Sequence, residues 1–162
     1  MQSSPHLRKI FTEIISWLFI VLWTYAAASK ILDHETFVVQ LGQSPLLTPI
    51  AGFLSWFIPL IEIVTGIFLF SSKTRLMGLY LSFGLMILFS VYIFVITHYS
   101  SNVPCSCGGI LEKMSWNQHL LFNLGFVVLA VAAILAEPKT ISLQLIRGNR
   151  KPVNRVGHSI NH

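Results

Sequence analysis

The chain has 162 residues, of which 54% are hydrophobic and only 10% charged, with a mean hydropathy of +0.69. A soluble domain carries about a quarter charged residues, so this composition excludes a water-covered globule and requires long apolar segments. The formal charge of +5 does not point to nucleic acid, because the basic residues lie between and after apolar runs rather than gathered on one polar face.

A hydrocarbon core of about 30 Å is crossed by roughly 20 residues of apolar helix, and four stretches meet that requirement. The first runs from Phe11 to Ser29. A cleaved signal peptide is its competing interpretation, given Arg8-Lys9, the apolar stretch and Ala26-Ala27-Ala28. The apolar part, however, exceeds the usual h-region of about 7–15 residues. Next, Ile31 to Gly42 is expected to form a short helix at the membrane interface. Its Asp33 and Glu35 would face water, while Ile31, Phe37, Val38 and Leu41 would face protein or lipid.

The second span covers Ile50 to Phe70, with Thr48 expected as its N-cap and Pro49 as its first helical residue. Glu62 falls near its middle. A carboxylate at that depth must be paired, protonated or hydrated, which makes it a candidate functional group. Lys30, at the outer end of the first span, is its expected cationic partner; a structural hydrogen bond is the simpler role. Glu13 lies near the opposite boundary, where it can reach water.

The third span covers Leu76 to Thr97 and the fourth Trp116 to Ala136. Ser115 and Gln118 have the spacing of a capping box, and Glu137-Pro138 ends the fourth span because proline cannot continue the hydrogen-bond ladder. The expected fold is therefore an all-α membrane protein, a four-transmembrane-helix bundle with a short interfacial helix between its first and second spans. Residues 1–137 would form that domain and residues 138–162 a basic cytoplasmic tail.

Orientation follows from Lys and Arg. If the N-terminus is cytoplasmic, that side holds Arg8, Lys9, Lys73, Arg75, Lys139, Arg147, Arg150, Lys151 and Arg155, and only Lys30 and Lys113 remain opposite. The loop between the third and fourth spans then faces an oxidising compartment. It contains the chain's 2 cysteines, Cys105 and Cys107.

Cysteines separated by one residue can bridge only across a turned backbone, and strained, exposed disulfides exchange readily. Gly108 and Gly109 permit the unusual backbone angles such a turn needs, and Pro104 fixes the approach. Three interpretations remain open: a redox pair that exchanges disulfides, a metal-capturing pair, and an inert loop staple. His98 ends the third span and His119 lies in the first turn of the fourth. A nearby imidazolium lowers a thiol pKa, and two His with two Cys could also hold a soft metal such as Cu(I) or Zn(II). Interfacial hydrogen bonding is the plainer role for His98. Trp116, His119 and Asn123 share one helical face, which either packs beneath the cysteine loop or joins helices by hydrogen bonds.

These residues carry a family resemblance. Lys30, Phe37, Pro59, Glu62 and Gly66 form one half of it. The run Cys105-Ser106-Cys107-Gly108-Gly109, followed by Trp116, His119 and Asn123, forms the more distinctive half. The chain resembles the MauE branch of the DoxX-like membrane proteins across Ile10 to Ala136. The resemblance implies a compact four-helix protein of the bacterial inner membrane with its cysteine loop in the periplasm. It also implies a role in the maturation of disulfide-containing client proteins, as in methylamine dehydrogenase maturation, together with a periplasmic thioredoxin-like partner. Because DoxX relatives include quinone-linked subunits, quinone is the cofactor it brings into consideration, although no residue pattern here marks a quinone pocket. Unlike DsbB and vitamin K epoxide reductase, the chain has no Cys-x-x-Cys pair and no additional shuttle cysteines. Any relay must run through Cys105 and Cys107. A metal-binding or transport protein and a non-catalytic scaffold subunit are the alternatives.

Overall fold

Within a bilayer a backbone must satisfy its own hydrogen bonds, which limits spanning segments to helices or closed barrels. The computed structural model describes residues 5–43, 47–99 and 115–137, and all regular structure among them is helical. Helix α1 covers Pro5–Leu32 and α2 His34–Gln43; a 3-10 turn at Thr48–Ile50 leads into α3, Ala51–Phe70. Helices α4, Arg75–Tyr99, and α5, Trp116–Ala136, complete the order. Helices α1, α3, α4 and α5 are long and apolar enough to cross a membrane. The fold is thus a four-helix membrane bundle with a short helix between its first and second spans.

Helix α1 lies along α3 and α4 along α5, while contacts of α3 with α4 and of α1 with α5 close the ring; α2 rests on α3. One end of the bundle holds the start of α1, the α3–α4 turn and the end of α5, with Arg8 and Arg75. We call it the basic end. The other, the loop end, holds α2 and the start of α5.

Lipid tails are as apolar as leucine, so hydrophobicity cannot tell a membrane helix which face to bury; small and polar residues do that. Helix α3 shows this. Its buried stripe is Ala51, Ser55, Pro59, Glu62, Thr65 and Leu69, whereas Phe53, Trp56, Leu60, Ile67 and Phe70 are exposed. Buried hydroxyls satisfy themselves on their own helices: Ser16 Oγ donates to Thr12 O at 2.7 Å, Thr65 Oγ1 to Ile61 O at 2.7 Å and Ser90 Oγ to Met86 O at 2.7 Å. Near the α3–α4 turn the packing leaves no room for a side chain at Gly78. A Cβ added to Gly78 would lie 2.8 Å from Leu69 N and 2.9 Å from Leu69 Cγ.

At the basic end Arg8 donates from Nη2 to Leu135 O at 2.7 Å and from Nε to Ala136 O at 3.2 Å, capping the last turn of α5 with a cation. Arg75 Nη2 pairs with Glu13 Oε1 at 3.3 Å. Glu13 therefore has a specific ionic partner in addition to the access to water its position suggested.

Several boundaries differ from expectation. Helix α1 begins at Pro5 and ends at Leu32, well beyond Phe11–Ser29, because polar residues can extend a helix past the hydrocarbon. The interfacial helix accordingly starts later, at His34, with Phe37 and Leu41 buried as its pattern suggests and Asp33 and Glu35 exposed. Thr48 does not cap α3. It opens the 3-10 turn, and its hydroxyl donates backward to Gly42 O at 2.8 Å, while Pro49 supplies the turn's early proline. The capping box of α5 is present: Gln118 N donates to Ser115 Oγ at 3.4 Å, and Ser115 N donates to Gln118 Oε1 at 3.0 Å. Helix α5 ends at Ala136, with Glu137 in the extended conformation favoured before proline.

Candidate functional site

The loop-end half of the bundle encloses a pocket of about 430 Å³, within the range of small-molecule sites. It lies among all five helices, and its mainly apolar lining includes Lys30, Asp33, Gln40, Glu62, His119 and Asn123.

Its charged element is the pair expected from sequence. Lys30 Nζ donates to Glu62 Oε1 at 2.9 Å and to Ala26 O, one turn back on its own helix, at 3.0 Å. The ammonium also lies 5.9 Å from the centre of the Phe37 ring, within reach of a cation–π attraction. Lysines at helix ends usually extend toward water. Lys30 instead folds back toward the preceding turn, the direction in which helical side chains lean, and brings its charge to a carboxylate with 0% exposure. Two unpaired charges at this depth would be far more costly than one hydrogen-bonded pair. Helix α2 shields the pair, because Phe37 and Leu41 are buried at its inner face and both line the pocket.

Helix α5 supplies the opposite wall. The capping box fixes the start of this helix, so Trp116, His119 and Asn123 follow at helical spacing, and all three line the pocket. Asn123 is 4% exposed. Its Nδ2 and Glu62 Oε2 have no hydrogen-bond partner among the described residues. Each is a costly arrangement in a low-dielectric interior.

Aromatic side chains make the floor. Trp23 Nε1 donates to Ser82 Oγ at 2.9 Å, which joins α1 to α4. Phe19 stacks on Trp23 with ring centres 6.4 Å apart, and Phe126 meets Phe19 edge-on at 5.2 Å. Below this layer the bundle is closely packed, with Leu69, Leu79, Ala130 and Ala133 almost completely buried.

Of the residues singled out in the sequence, Lys30, Glu62, Trp116, His119 and Asn123 thus surround one pocket. His98 is not in its lining. Exposed near the end of α4, it stacks on Phe94 at 4.3 Å, with Nδ1 within 3.0 Å of Phe94 O and 3.1 Å of Thr97 Oγ1. Cys105, Cys107, Gly108 and Gly109 lie outside the described residues. Sequence reasoning missed Trp23 and Ala26. Their signal was available, since they precede Lys30 by seven and four residues and therefore share its helical face. It also missed the contact that holds α2 to α3: His34 Nε2 lies 3.1 Å from Ser55 Oγ, and its ring 4.3 Å from that of Trp56.

With this geometry in place, comparison with known proteins finds one family. The model of the family described as methylamine utilisation protein MauE matches residues 8–136, most of the chain and all four spans. The chain belongs to this family. No curated protein and no solved structure matches it.

Proposed function

We propose that this MauE-family chain is a membrane thiol–disulfide redox protein that assists disulfide formation or maturation in periplasmic proteins, with Cys105 and Cys107 as its exchanging pair. The observation that carries the proposal is the position of the pair in the chain. Both cysteines fall between the end of α4 and the capped start of α5, so their segment is tethered at the loop end, the same end as the pocket. His119 stands in the first turn after that segment, where an imidazole can take up a thiol proton. The concentration of Lys and Arg at the basic end favours a cytoplasmic location for that end in the bacterial inner membrane and a periplasmic one for the cysteines.

In the exchange, a thiolate of a periplasmic thioredoxin-like partner or client attacks one sulfur of a Cys105–Cys107 bridge. A mixed disulfide forms and the other cysteine leaves as a thiolate. A second thiolate of the same partner then displaces the bound sulfur. Two electrons pass from the partner, which gains a disulfide, to the pair, which becomes two thiols. Gly108 and Gly109 supply the backbone freedom that interchange between bridged and open forms requires. Lys30 and Glu62 support the bundle.

Thiol trapping tests this directly. A Cys107→Ala or Cys105→Ala variant in intact cells is expected to accumulate a reductant-sensitive adduct with a partner protein. If neither single-cysteine variant forms one, disulfide exchange is not the activity.

A further inference from the structure

Two side chains of the pocket wall, Asn123 and Glu62, present complementary polar atoms. Asn123 Nδ2 offers a donor and Glu62 Oε2 an acceptor, on side chains 4% and 0% exposed. Both side chains line a cavity whose walls are otherwise mainly hydrocarbon and aromatic. One side of that cavity reaches the lipid-facing surface, since Phe53 and Phe57 of α3 and Leu88 of α4 line it while remaining 67%, 45% and 60% exposed.

We propose that this pocket binds a hydroxylated amphiphile taken from the bilayer between α3 and α4, its apolar body against the aromatic walls and its hydroxyl head at Glu62 and Asn123. The head donates to Glu62 Oε2 and accepts from Asn123 Nδ2–H. A hydroxyl is the smallest group that does both. A purely hydrocarbon occupant would leave both atoms unsatisfied. A carboxylate would accept from Asn123 but face the Glu62 oxygen with a like charge, and an ammonium could not accept from Asn123. Water satisfies the two polar atoms but not the apolar volume around them, which favours an occupant with hydrocarbon of its own. Lys30 remains bound to Glu62 Oε1 and holds that carboxylate in place, so the free oxygen stays presented to the cavity.

This site does not depend on the cysteines. The test uses the full chain in lipid nanodiscs and a long-chain alkylphenol with a photoreactive diazirine in its tail, with labelled positions mapped by mass spectrometry. Labelling is expected at pocket residues such as Phe57 and Phe89, and 4-nonylphenol should compete about tenfold better than nonylbenzene, the difference one buried hydrogen-bonding head provides. Asn123→Leu should abolish that preference. Ala26→Leu, which adds apolar volume to the cavity from α1 and changes neither polar side chain, should reduce labelling while leaving helicity intact. The Cys105→Ser, Cys107→Ser double variant should label like the parent chain, so failure of thiol exchange would leave this result standing. Equal competition by phenol and hydrocarbon, or labelling spread evenly over the lipid-facing surface and unchanged in both pocket variants, would overturn the proposal.

Discussion

The two halves of this bundle treat buried polarity in different ways. Toward the basic end, Thr12, Ser16 and Thr65 return their hydroxyl protons to carbonyls one turn back on their own helices, at 3.0, 2.7 and 2.7 Å. Gly78 lies so close to Leu69 that even a Cβ there would clash. The unpartnered polar atoms there, Arg75 Nε and Glu137 Oε2, belong to charged groups at the rim. Toward the loop end the helices enclose a cavity, and Glu62 and Asn123 keep bonding capacity deep inside it. Self-satisfied hydroxyls allow packing and little else. Polar groups held open against an apolar cavity add nothing to packing, and that is how a site differs from a core.

The largest expected effect lies in the open half. Lys30→Met would leave the Glu62 carboxylate buried without its cation, and loss of one partner of a buried pair costs about 3 kcal/mol or more. The Lys30→Met, Glu62→Met double variant replaces both charges with apolar groups and should recover most of that loss. Thermal unfolding in detergent, followed by circular dichroism, reads both. A double variant no more stable than the single one would mean that the pair does not act as a unit. Applied to the packed half, the same comparison gives a smaller effect from a smaller change. Gly78→Ala forces a Cβ against the Leu69 backbone and should destabilise by about 2 kcal/mol, the usual cost of overpacking. Gly52→Ala, at the loop end, meets nothing within 4 Å and should leave the unfolding midpoint almost unchanged. Equal responses from the two glycines would erase the contrast between the halves.

How much of this was legible in the sequence depended on whether a feature is local or intramembrane and costly. The α5 capping box follows from two residues three apart. The Lys30–Glu62 pair follows from the cost of a lone carboxylate at that depth, which leaves few partners to choose from. Trp116, His119 and Asn123 share a face by helical period alone. The pocket itself was not legible. Its walls use Phe57, Leu88 and Phe89, and in a membrane such residues suit the lipid-facing surface and the interior equally. The Arg75–Glu13 pair was hidden for a different reason: it joins residues 62 apart, and only the packing of α4 near α1 reveals it. Thr48 was misassigned because its hydroxyl found the α2 carbonyl at Gly42 before any α3 donor. That choice is made by the returning chain rather than by local sequence.

The smallest expected effect concerns the rim of the packed half and its response to pH. Partial burial raises the Glu137 carboxyl above its ordinary value; the Arg75 cation opposes that rise, and the Glu13 carboxylate adds to it slightly. The folded chain therefore retains a proton in a pH range where the unfolded chain has released it. The resulting penalty is absent at low pH, where both states are protonated, and grows as pH rises from the ordinary carboxylate range through the folded value. Because the side chain is still partly solvated, screening keeps the effect small. Glu137→Gln has no proton to lose. Its unfolding midpoint relative to the parent chain should therefore be higher near about pH 7 than near about pH 4, and Arg75→Met in the parent background should widen that gap by removing the opposing cation. A difference that grows toward acid instead would mean that Arg75 outweighs burial at this carboxyl, so that the basic end, like the pocket, is organised around a working ion pair.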